Sequence, residues 1–135
     1  MAVGLAPSIA NAFLNFLFNQ TTAGTAPAAI WIQLHTADPG LAGTNAVAGN
    51  ATRKNITTSF PVASGNSGIL SNDVAISWTT GEVDTTEDYT HWAIFDASTS
   101  GTFLNSGLMT ANAVVVGDEF TIPIGDLDLS FLVTA

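Results

Sequence analysis

Hydrophobic positions along this chain follow two different periods. Between Pro7 and Asn19, Ile9, Phe13, Phe16 and Leu17 recur at helical spacing, and Leu14 and Phe18 widen their face. Asn11, Asn15 and Asn19 form a narrow polar stripe at i, i+4 and i+8. The pattern predicts a helix over residues 8–19, capped by Ser8 with Pro7 just ahead of it. An apolar arc this wide needs cover on more than one side. Packing into the chain's own sheet is the plain expectation, and sharing with a neighbouring subunit is the alternative.

A polar connector over 20–27 follows, and from Ala28 the period becomes two. Ile30, Ile32 and Leu34 alternate with Ala29, Trp31 and Gln33 up to the turn Asp38-Pro39-Gly40. Leu41 to Ala51 reads as a long exposed loop. Arg53 to Phe60 reads as a strand with Ile56, Thr58 and Phe60 on one side, and Pro61 to Gly68 as a loop. Val74, Ile76 and Trp78 alternate ahead of an acidic turn, Thr80 to Asp88. Tyr89 to Phe95 has two partly apolar faces, Trp92 and Ile94 against Ala93 and Phe95, which predicts a central strand. Its partner is Phe103 to Met109, across a turn at Asp96 to Gly101. Ala113 to Val116, Glu119 to Ile124 and the run Leu127, Leu129, Phe131, Val133 complete the pattern, separated by the turns Gly117-Asp118 and Gly125-Asp126. The prediction is a mainly β fold, an antiparallel sandwich or barrel of about seven or eight strands with one N-terminal α-helix. It forms a single domain over 1–135, with the helix at 8–19 and the β-domain at 28–135.

Charge changes this picture. Of 135 residues only 10% are charged, eleven acidic against two basic, for a net charge of −9. The two basic residues, Arg53 and Lys54, are neighbours, so no basic face exists to release counterions from a phosphate backbone. Neither nucleic acid nor an anionic membrane is an expected partner. Typical soluble domains carry about 25% charged residues; so weakly charged an exterior, with 47% hydrophobic residues, suits a subunit. There is no cysteine, hence no disulfide framework and no thiolate ligand. Met1 to Pro7 lacks the positive stretch of a secretory signal. The apolar stretch Ile9 to Phe18 is too short to span a bilayer.

Candidate chemistry is sparse. His35 lies three residues before Asp38, but neither it nor His91 sits in metal-ligand spacing, and both read as hydrogen-bonded structural imidazoles. No serine sits in a G-x-S-x-G elbow. Glu82, Asp84, Glu87 and Asp88, and later Asp118, Glu119, Asp126 and Asp128, read as solvated acidic rims, because no calcium-loop spacing accompanies them. Trp31, Trp78 and Trp92 lie within alternating strands, where packing is the expected role and a carbohydrate cleft the alternative. No enzyme activity, cofactor or metal is expected.

Several strings together resemble a known group. Ser8-Ile9-Ala10-Asn11-Ala12-Phe13-Leu14, Leu34-His35-Thr36-Ala37-Asp38-Pro39-Gly40, Ser71-Asn72-Asp73-Val74, Tyr89-Thr90-His91-Trp92-Ala93-Ile94-Phe95-Asp96-Ala97 and Phe120-Thr121-Ile122-Pro123-Ile124-Gly125-Asp126-Leu127 are similar to small virion proteins of tailed phages. Members are described as capsid decoration (cement) proteins or as tail fibre and minor tail proteins. The resemblance implies a structural component of the virion surface, with no catalytic residue and no cofactor. An apolar helix and a weakly charged exterior favour decoration of the capsid exterior. The expected partners are then the major capsid protein and other copies of the chain, as a trimer. A tail fibre part or a carbohydrate-binding adhesin is the alternative. Expected contacts are Ile9, Phe13, Phe16, Leu17 and Phe18 within or between subunits, the loops Leu41 to Ala51 and Pro61 to Gly68 toward the shell, and Arg53 and Lys54 in ion pairs with an acidic patch.

Overall fold

In the computed structural model, which describes residues 3–19, 24–49, 52–64 and 68–130, helix α1 (Pro7–Phe18) precedes eight strands. These are β1 (Trp31–His35), β2 (Lys54–Asn55), β3 (Ile69–Ser71), β4 (Ile76–Trp78), β5 (Glu87–Phe95), β6 (Phe103–Val114), β7 (Phe120–Ile122) and β8 (Asp128–Ser130). All pairings are antiparallel. One sheet has the order β2-β1-β5-β6, while β3 pairs with β8 and β4 with β7 as separate ribbons. The mainly β prediction is correct, and the sheets do not close into a barrel.

The strand read at Tyr89 to Phe95 does lie between two partners, and its double-sided apolar pattern explains why. Because side chains alternate across a strand, Trp92 and Ile94 enter a core with Ile32 and Leu34 of β1, Ile76 and Trp78 of β4 and Phe120 and Ile122 of β7. Ala93 and Phe95 face the other way, into a smaller cluster with Ala6 and Phe103. A register shift between Tyr89 and His91 reverses the alternation, so Tyr89 joins the larger core with Trp92. There it meets Phe120 edge-on, with ring centroids 5.1 Å apart. Ile32, Leu34 and Trp78 are fully buried; an aliphatic side chain so buried contributes roughly 1.5–3 kcal/mol.

Elsewhere the prediction needs correction. Arg53 to Phe60 is a strand only at Lys54–Asn55. There the Asn55 Oδ1 accepts the N–H and the hydroxyl of Thr57, a local turn that competes with the ladder. β3 was not expected. β6 runs on past Met109 to Val114. Val74 is exposed, outside β4. Phe131 and Val133 lie outside the described residues.

Candidate functional site

The N-terminal segment is tied to the sheet edge before the helix begins. Leu5 bridges to Asn105 of β6; the Ala6 N–H donates to the Leu104 carbonyl at 2.9 Å, and the Ser106 N–H to the Gly4 carbonyl at 2.8 Å. Ala6 is buried against Phe95 and Phe103. Pro7 starts the helix, where its missing N–H is harmless and its φ is already helical. Ser8 therefore falls inside the first turn, and no side chain caps the N-terminus, which corrects the cap assignment. At the far end the Asn19 N–H and side-chain Nδ2 donate to the backbone and side-chain oxygens of Asn15, at 2.9 and 2.8 Å.

No residue of α1 is buried. Ile9 packs against the Ala6–Phe95–Phe103 cluster, but Phe13, Leu14, Phe16 and Leu17 are each 43–58% exposed and Phe18 is 77% exposed. The helix thus meets its own sheet through Ile9, and most of its apolar arc stays exposed. The second face of the sheet is already filled by Ala6 and Phe103, and the short tether through Gly4 to Ala6 leaves the helix standing at the edge. At 100° per residue its apolar arc covers roughly two-thirds of the circumference, with Asn11, Asn15 and Asn19 on the rest. Between the helix and the β3–β8 ribbon runs a groove of about 910 Å³, walled by Ile9 and Phe13 on one side and by Ile69, Leu70, Leu104 and Leu129 on the other. No helix among the described residues is long and apolar enough to cross a membrane.

Both cations expected to reach a partner are engaged within the chain. The Arg53 guanidinium lies 3.5 Å over the Phe95 ring. Its Nε donates to Gln33 Oε1 at 3.2 Å, and one terminal nitrogen donates to the carbonyls of Ala97 and Ser100 at 2.8 and 2.7 Å. Burial draws the Arg53 pKa below its ordinary value, with Asp96 opposing. Lys54 pairs with Glu82. That pairing, with the Thr79 N–H and hydroxyl, holds the Glu82 carboxyl down to about 2. Of the expected shell-facing loops, residues 61–64 are exposed, whereas Gly43 and Ala48 are buried within the other.

Five other carboxylates serve local turns or tie distant segments together. Glu87 accepts the Gly49 N–H, Asp118 the Val115 N–H, and Asp38 the Gly40 N–H; Asp128 accepts the Ser71 hydroxyl and Glu119 that of Thr80. Among the described residues no group of three or more His, Asp or Glu side chains is placed to hold a metal. Trp78 and Trp92 are buried, with Trp78 Nε1 donating to the Thr52 carbonyl at 2.9 Å. A glycan cleft built on those two rings therefore loses its platform, while Trp31 is half-buried.

Two arrangements escaped the sequence reading. His35 and His91 stand directly opposite each other across β1 and β5. His35 Nδ1 donates to the Asn45 carbonyl at 2.7 Å, while its buried Nε2 has no hydrogen-bond partner among the described residues. Burial lowers its pKa, with smaller contributions from His91 and Arg53 and an opposing one from the Asn45 carbonyl. Asn72, 2% exposed, makes four hydrogen bonds: Nδ2 donates to the carbonyls of Val74 and Pro123, and Oδ1 accepts from the N–H groups of Gly125 and Leu127. An asparagine in a Ser-Asn-Asp string reads as turn chemistry, and only the fold shows it bridging two turns.

A family model described as podophage GP4 fiber I protein gp80 matches residues 4–130, from the N-terminal tether through β8. No curated protein matches the chain.

Proposed function

The chain belongs to the podophage GP4 fiber I protein gp80 family, a phage structural protein, and from that premise we propose that it is a subunit of a fibre on the virion of a tailed phage. The match over nearly the whole chain carries this reading. The description of that family names a fibre, which favours the fibre alternative over the capsid exterior expected from sequence. The role is adhesive and structural, without catalysis. Its partners are neighbouring virion proteins and other copies of the chain, and neither nucleic acid nor membrane. The charge pattern supports this, since a chain of net charge −9 with two cations, both engaged internally, has nothing to offer a phosphate surface.

Gold-labelled antibody against the chain, applied to intact particles, tests the placement. Label along fibres is expected. Label spread over the head, with loss of head stability when the protein is withheld, would return the molecule to the decoration reading with the major capsid protein as its partner. Particles that bind no label would end both.

A further inference from the structure

We propose that the loop over residues 36–48 is an acid-released flap: proton uptake by His35 lifts it off the sheet while the strands beneath stay paired. Four contacts hold the loop in place. The Thr36 N–H donates to the Ala46 carbonyl at 2.9 Å, and the Ala48 N–H to the Leu34 carbonyl at 3.1 Å. His35 Nδ1 donates to the Asn45 carbonyl at 2.7 Å. Gly43 lies against the Phe103 ring, where a Cβ would come within 2.5 Å. Little else secures it, since over 36–48 only Pro39, Gly43 and Ala48 are buried. Ala46 sits at φ +49°, a left-handed conformation that an L-residue adopts at a cost. Few buried contacts and local strain mark a segment that opens without the rest.

Of the four contacts only that of His35 involves a titratable group. Donation from Nδ1 leaves the neutral ring a lone pair on Nε2, which is buried and has no hydrogen-bond partner among the described residues. A proton there is a buried donor without an acceptor. Its charge also meets like charge. His91 stands directly opposite on β5, hence on the same face, and Arg53 lies on Gln33, two residues back on that face. Burial opposes the proton most, and His91 and Arg53 add to it. Nearby carboxylates are engaged elsewhere. Asp38, the one titratable side chain of 36–48, accepts the Gly40 N–H; Glu87 takes the Gly49 N–H past the loop's end; Lys54 pairs with Glu82; and β6 carries no titratable group. Once the loop lifts, Nε2 reaches water and titrates near its ordinary value of about 6.5. Protonation therefore favours the open form. The opening constant stays level above about pH 6.5 and rises by up to about tenfold per pH unit below it.

The inference concerns the chain alone, so particle labelling bears on the fibre reading and leaves it untouched. Amide hydrogen exchange on the purified full chain, corrected for the intrinsic effect of pH, tests it. Between about pH 7.5 and about pH 5 the opening constant over 36–48 is expected to rise about tenfold, while residues 92–95 of β5 stay protected. His35→Asn is expected to make the loop indifferent to pH, and His91→Asn to leave the response in place. The wild-type His35 Cε1–H resonance gives the same reading without any variant, because it must titrate in step with the loop. A wild-type loop equally protected at both pH values overturns the proposal. So does opening of 36–48 and 92–95 together, a response that survives His35→Asn, or a His35 ring still neutral where the loop has opened.

Discussion

Asn72 satisfies two donors and two acceptors from one buried position, joining the turn after β3 to the turn between β7 and β8. Asn72→Ala removes all four bonds and leaves the Leu127 N–H, inside the core, without a partner. A loss of about 2–4 kcal/mol is expected, read as a lower urea midpoint at unchanged m. Gly107 shows the same dependence on a distant neighbour: a Cβ there would meet the Trp92 ring at 2.2 Å. Titration adds a second residue-scale expectation. The folded pKa of His35 lies below 6.5, so the unfolded chain binds more protons as pH falls. Its penalty is absent above about pH 6.5 and grows below it. Glu82 is held near 2, against 4.5 unfolded; its contribution is present above 4.5 and fades as pH drops toward 2. Tm should therefore fall in two acid windows, with His35→Asn removing the first and Glu82→Gln shrinking the second, to which Asp96, held down by Thr102, also contributes.

Among the elements, the β5–β6 connection depends most on a residue outside it. Arg53 reaches from the start of β2 to hold the carbonyls of Ala97 and Ser100 while lying on Phe95. Lysine keeps the charge but loses the planar fork and the stacking. Arg53→Lys is expected to cost about 1–2 kcal/mol, measured by urea unfolding, with faster amide exchange confined to residues 96–102. From sequence Arg53 reads as an outward ion pair, because charge alone does not reveal which carbonyls lie within reach. Alternation placed β1, β4, β5 and β7 well, since each carries its own apolar face. It failed at β2, where the Asn55 turn ends the ladder after two residues, and at β3, whose partner Asp128–Ser130 lies nearly sixty positions away.

Over the whole molecule, self-repulsion is the dominant electrostatic effect, because eleven carboxylates face two cations. Raising sodium chloride from about 20 mM to about 300 mM shortens the screening length from roughly 20 Å to below 10 Å. Tm should rise by a few degrees, as followed by differential scanning fluorimetry; a Tm that falls with salt would mean that the Lys54–Glu82 pair outweighs the repulsion. The amino-acid sequence by itself determined the antiparallel β class, the central place of β5, the single helix with its apolar faces and the concentration of charge beyond residue 37. These follow from periodicity and composition, which are local properties. Only the tertiary structure decided which apolar faces are covered. Trp78 and Trp92 lie inside, His35 stands against His91, both cations turn inward, and no residue of α1 is buried. Periodicity records that a face avoids water; what meets that face depends on strand register and chain path over long separations.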